Sequence, residues 1–119
     1  MSINKNYYVI AGYDMTKAVT DKYRDWKWTD EGEKYLCFKM RGRVQLFDDP
    51  MSGYYLYLGH VIAEGDEYFF QTTPYDPWSI IGLKQKVDVE LDKLVEYGII
   101  DKDKAKHVPF KLIAFEECS

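Results

Sequence analysis

The 119-residue chain is expected to fold as α+β, with an antiparallel or mixed sheet of about five to six strands and one long helix, about residues 77–97, packed on one face. Three stretches carry this expectation. Tyr54–Thr73 reads as a β-hairpin of Tyr, Leu, Val, Ile and Phe around Gly65-Asp66. Pro77–Tyr97 repeats apolar residues at spacings of three and four. Short apolar runs at 7–13 and 110–115 supply two further strands.

In chain order, residues 1–6 are polar and are expected to fray. Tyr7–Tyr13 is apolar nearly throughout, which places that strand inside a sheet. Thr16–Tyr23 is compatible with a short helix or a loop. Tyr23, Trp26 and Trp28 then alternate with Lys22, Arg24, Asp25 and Lys27. These rings either close one edge of the core or form a contact surface, since Trp, Tyr and Arg dominate interface hot spots. Asp30 and Glu33 have the spacing of a capping box, but Tyr35-Leu36-Cys37-Phe38 is strand-like. The expectation is a turn at 30–32 followed by a strand over about 34–40. Arg41-Gly42-Arg43 breaks the chain, Val44–Phe47 resumes it as a strand, and Asp48–Gly53 is a loop.

In the hairpin, a two-residue loop at Gly65-Asp66 favours a type II′ turn, because glycine takes positive φ there without strain. That register sets Ile62 opposite Phe69, Val61 opposite Phe70, His60 opposite Gln71 and Ala63 opposite Tyr68. Apolar bulk on both faces requires cover on both sides. The long helix is expected on one side, and Tyr23–Trp28 or a partner on the other. Asp76 and Pro77 make an N-cap and first helical position, and Gly98 a left-handed stop. Ile80, Leu83, Val87, Leu91, Leu94 and Val95 share one face of that helix. Asp101–Lys106 reads as a short capped helical turn. Phe110–Phe115 is a last strand, able to lie beside the first, and 116–119 a polar tail.

The composition, 46% hydrophobic and 30% charged, is that of one globular domain. A net charge of −4 argues against general nucleic-acid binding. No apolar run approaches a membrane span, and no leader-like segment opens the chain. Cys37 and Cys118 fit no zinc or redox spacing and are expected to be reduced thiols of a cytoplasmic protein.

Sites of chemistry are few. With two histidines and no HxH or HExxH spacing, no metal or cofactor is expected. His107 reads as a cation at a helix C-terminus, and His60 as a core or rim histidine bonded to a neighbour such as Gln71. No Ser-His-Asp, Cys-His or glycine-rich phosphate motif exists, and the assignment leans away from an enzyme. Two of the three arginines, Arg41 and Arg43, flank Gly42 at a strand junction. Guanidinium forks bind phosphate or carboxylate, and glycine lets backbone approach a ligand.

The first functional expectation is a small acidic, non-enzymatic protein-interaction module. Its anchors would be Trp26, Trp28, Tyr54 and Tyr55, for a protein partner or self-association. The Lys-, Tyr- and Asp-rich, Arg-poor composition resembles that of small proteins encoded by phages or mobile elements, which points to an inhibitor or regulator of a host protein. The alternative is a binder of a small anionic or nucleotide-like ligand, built on Arg41, Arg43, His60 and Tyr57.

Overall fold

A computed structural model describes residues 5–37, 42–48, 55–66, 68, 70–72 and 77–118. Within them the chain forms β1 (Lys5–Asp14), α1 (Tyr23–Trp26), α2 (Asp30–Cys37), β2 (Val44–Asp48), β3 (Leu56–Asp66), β4 (Phe70–Thr72), α3 (Pro77–Glu96), α4 (Lys102–Ala105) and β5 (Lys111–Cys118). The α+β class holds, and every ladder among these residues is antiparallel. The sheet order is β2-β3-β1-β5, so the first and last strands are neighbours and β1 is interior. β2 pairs with residues 56–60 of β3 and β4 with residues 63–65, one after the other along the same strand. The turn at Gly42-Arg43 sits at the seam between them. Gly42 N–H donates to Val61 O at 2.9 Å, and Val61 N–H to Arg43 O at 3.0 Å. Gly42 has φ +81°, which a side chain would oppose.

Several expectations change. Residues 30–37 are helical, not a turn and strand. Thr29, not Asp30, caps this helix: its Oγ1 accepts from Gly32 N–H at 3.2 Å. Asp30, Glu31 and Glu33 in the first turn favour the positive helix end. Gly32 is required because a Cβ there would lie 2.2 Å from Trp26 O at the α1–α2 corner. The β3–β4 register also moves. Ala63 pairs with Thr72, Glu64 with Gln71 and Gly65 with Phe70, so Gly65 lies in the strand. The Asp66 carboxylate accepts from Tyr68 N–H at 2.8 Å. Both registers pair odd residues with even ones, so strand faces are kept although partners change. Lys5 and Asn6 pair with Cys118 and Glu117, so neither terminal segment is a free tail there. Phe69, Asp76 and the 49–53 loop lie outside the described residues.

The C-terminal signal of α3 holds. Ile99 N–H donates to Leu94 O at 3.3 Å and Gly98 N–H to Val95 O at 3.0 Å, around Gly98 at φ +80°. This is a Schellman stop, with buried Leu94 and Ile99 as its apolar contact. Asp101 caps α4 by accepting from Asp103 and Lys104 N–H. Ahead of α1, the chain docks on this corner: Thr20 N–H donates to Ile99 O, and Asp101 N–H to Ala18 O, both at 2.8 Å.

α3 lays Val87 and Leu94 against Tyr13, Leu46 and Leu58 of the sheet. Trp26 joins the same core, so the aromatic segment lies on the helix side and does not cover the opposite face. That face carries Tyr8, Ile10, Phe47, Val61 and Ile113, with Tyr55, Tyr57 and Phe115 packed against them. Phe47 lies on one edge strand and Phe115 on the other. Across a flat sheet those strands would be about 14 Å apart, three steps of ~4.8 Å. Their rings are 5.2 Å apart between centroids. The sheet is therefore strongly curled, and rings from both edges close over Ile10 and Val61, which are 0% exposed. One cause is a bulge in β3. Val9 pairs with Ala63 but Ile10 with Val61, leaving Ile62 as the extra residue. A bulge sharpens the local twist and bends the strand.

Candidate functional site

A groove of about 650 Å³ opens on the helix side of the sheet, between α2, α3 and the start of β2. Helical spacing builds two of its walls. On α2, Glu31, Lys34 and Tyr35 project into it at spacings of three and four. On α3, Lys86, Glu90 and Lys93, followed by Tyr97 just past its end, form a stripe beside the core-facing residues. The Gly42-Arg43 turn supplies a third wall, and Gln45 and His60 supply buried polar groups.

The two helices are joined across the groove by the Tyr35 hydroxyl. Tyr35 Oη donates to Glu90 of α3, and Lys93 Nζ lies 3.2 Å from the same carboxylate. Burial, then the nearby Glu31 charge of α2, raises the Tyr97 hydroxyl pKa above its ordinary value. Burial, then the bond to Glu90, holds the Tyr35 hydroxyl pKa far above its ordinary value, so it remains a donor. Tyr35 and Tyr97 also pack on Trp26, with centroids 5.8 and 5.9 Å away. The Glu90 carboxylate thus serves the construction of the groove. Among the described residues its charged lining comprises four cations, Lys34, Arg43, Lys86 and Lys93, against Glu31 and Glu90, in a chain whose net charge is −4.

His60 is 4% exposed and pairs in register with Val44 and Ala11. Gln71 is opposite Glu64 instead, so the expected His60–Gln71 pairing is replaced. Burial lowers the His60 pKa below its usual 6.5, and the Lys86 charge lowers it further. Hydrogen bonding with the Gly42 and Val61 backbone opposes this in part. The imidazole is therefore neutral at pH 7. In chemical terms, the groove can attract an anion and offer it a neutral imidazole able to take up a proton.

Of the residues singled out for ligand binding, Arg43 and His60 come together here. Tyr57 stacks on Tyr55 at 4.6 Å on the other face of the sheet, and Arg41 lies outside the described residues. Of those singled out as partner anchors, Trp26 is a core residue, 8% exposed, which removes it as a contact anchor. Trp28 is 73% exposed, with Lys27 Nζ 5.5 Å from its ring. Tyr55 packs into the ring cluster, and Tyr54 lies outside the described residues. Lys34, Tyr35, Lys86, Lys93 and Tyr97 were not anticipated. The 86-90-93-97 spacing on α3 was the available signal, but nothing local says which polar stripe of a helix faces a cleft.

A second hollow of about 470 Å³ lies beside α4, against Tyr13 and Phe110. Its Lys84 is paired with Asp88 at 2.8 Å. Among the described residues no three His, Cys, Asp or Glu side chains converge as metal ligands, and no helix is long and apolar enough to cross a membrane. No protein family, curated protein or solved structure matches the chain.

Proposed function

We propose that the protein is a small binding module for an anionic, nucleotide-like ligand, held in the groove between α2, α3 and the Gly42-Arg43 turn. The observation that carries this reading is the excess of cations lining a groove of about 650 Å³ in an acidic chain. Its size suits a small organic molecule. Arg43 supplies a planar fork for oxyanions, and the lysines supply point charges. Tyr35 and Tyr97, seated on Trp26, offer ring faces to an organic portion.

Thermal unfolding with a panel of nucleotides and other small anions tests the proposal. A ligand at a hundred times its Kd stabilises the folded state by about 2.7 kcal/mol. For a domain of this size that raises Tm by roughly 8–15 °C. Arg43→Glu and Lys86→Glu should each abolish the rise, and Lys86→Glu, at an exposed position, should change the Tm of the free protein little. A panel that leaves Tm unmoved would sink the reading.

The exposed Trp28 supports a second reading, a contact with a protein partner such as a host protein regulated by a phage or mobile element. Capture from a host lysate that is lost with Trp28→Ala but kept with Arg43→Glu would favour it over the anion groove.

A further inference from the structure

The charged groups around His60 come from three directions. α2 brings Glu31 and Lys34, α3 brings Lys86, Glu90 and Lys93, and the turn brings Arg43. Tyr35 and Tyr97 complete the titratable lining, while β1 places Ala11 against His60. We infer that the group seated here is a tetrahedral oxyanion, phosphate or sulfate in type, and that seating it draws a proton onto His60. The inference rests on the anion-binding reading of the groove and names its ligand chemistry and its pH control.

Geometry favours a tetrahedral group. A carboxylate presents two oxygens in one plane, whereas cations on two helices and a turn meet an ion with acceptors in several directions. The groove is much larger than such an ion, so a bound ester would extend along Tyr35 and Tyr97.

Proton uptake follows from charge. His60 is buried and faces the like charge of Lys86, and both favour the neutral ring. An anion between Lys86 and the imidazole reverses the local field and favours the charged ring. A charged imidazole also donates from both nitrogens, whereas the neutral ring donates from one. Binding and protonation are then reciprocal: the anion raises the His60 midpoint, and acid raises affinity for the anion.

Nuclear magnetic resonance of the two histidine rings tests this on the intact chain. Each ring is titrated with sulfate, and with chloride at matched ionic strength. Sulfate stays dianionic throughout, so a moved midpoint belongs to the protein. The His60 midpoint should rise by about one unit, equivalent to about tenfold tighter sulfate binding to the protonated form. His60→Gln should still bind sulfate, with little pH dependence.

Sulfate binding that leaves the His60 midpoint unmoved overturns the proton coupling while the anion groove stands. Sulfate that perturbs neither His60 nor Lys86 overturns both. Acetate that shifts His60 as far as sulfate does overturns the tetrahedral assignment. Phenyl phosphate compared with inorganic phosphate at one pH separates the two sources of the group. Tighter binding of the ester supports the oxyanion as the end of an organic ligand, and equal affinity supports the free ion.

Discussion

Gly12→Ala is the sharpest probe of this architecture. Gly12 lies mid-sheet, paired with Gly59 on β3 and Lys111 on β5. An added Cβ would stand 2.0 Å from Leu58 O and 2.5 Å from Gly59 Cα. Real Cβ contacts essentially never fall below 3.0 Å, so β1 and β3 must separate by at least 3.0 − 2.0 = 1.0 Å. Both offending atoms are backbone, so no rotamer change relieves them. Overpacking of this kind costs about 1–3 kcal/mol, occasionally more, and a backbone clash belongs at the top of that range. A loss of about 3 kcal/mol lowers Tm by roughly 10–15 °C in a domain of this size. Gly82→Ala is the matched control. It sits on an exposed position of α3 with nothing within 4 Å of the new Cβ, and should stabilise by about 0.5–1 kcal/mol. Urea unfolding reads both through the midpoint, with the m-value unchanged. A Gly12→Ala protein within ~1 kcal/mol of wild type would refute the close β1–β3 approach, and with it the tight seating of the strand that carries His60.

Three further outcomes are expected. Thr29→Ala removes the cap of α2 and should cost about 1 kcal/mol in chemical unfolding, whereas Asp30→Ala should cost less. Tyr23→Phe deletes the hydroxyl that donates to Asp48 Oδ2 at 2.9 Å, and should cost about 1.5–3 kcal/mol, as for a hydrogen bond to a charged group. Burial first, then the Asp48 charge, raises the Tyr23 pKa well above 10, so its contribution is present below pH 10 and lost as pH rises further; the mutant should show a weaker alkaline loss. His60 has the opposite sign: its folded pKa lies below 6.5, the unfolded chain binds the extra proton, and stability falls as pH drops from about 6.5 through the folded value. Denaturant midpoints at pH 7.5 and 5.5 should show this slope in wild type and a smaller one in His60→Gln.

Legibility of the fold followed the range of the interaction. The Schellman stop at Gly98, the Asp101 cap and the apolar stripe of α3 involve residues within a few positions of one another, and all were readable. So were the cores of β1, β2 and β3, whose composition suits a pleated surface. Residues 30–37 carried two local signals, a helix start and a strand-like run. The choice was made with a partner distant in sequence, Glu90 for Tyr35. The site was half legible for the same reason. Arg43 and Gly42 stood out locally, whereas Lys34, Lys86, Lys93 and the tyrosines join them only when α2 and α3 close on β2.

By itself, then, the amino-acid order determined an acidic α+β chain, its long capped helix, its central strands and an aromatic content too large for one face. Tertiary structure alone decided where those rings go. The β3 bulge and the curl of the sheet bring Phe47 and Phe115 together from opposite edges, so these rings and Tyr8 form core, while among the described residues Trp28 and Tyr68 are left outside. It also decided that a chain of net negative charge carries a cationic groove. Charge balance is a sum over residues, whereas a local field depends on which of them are neighbours in space.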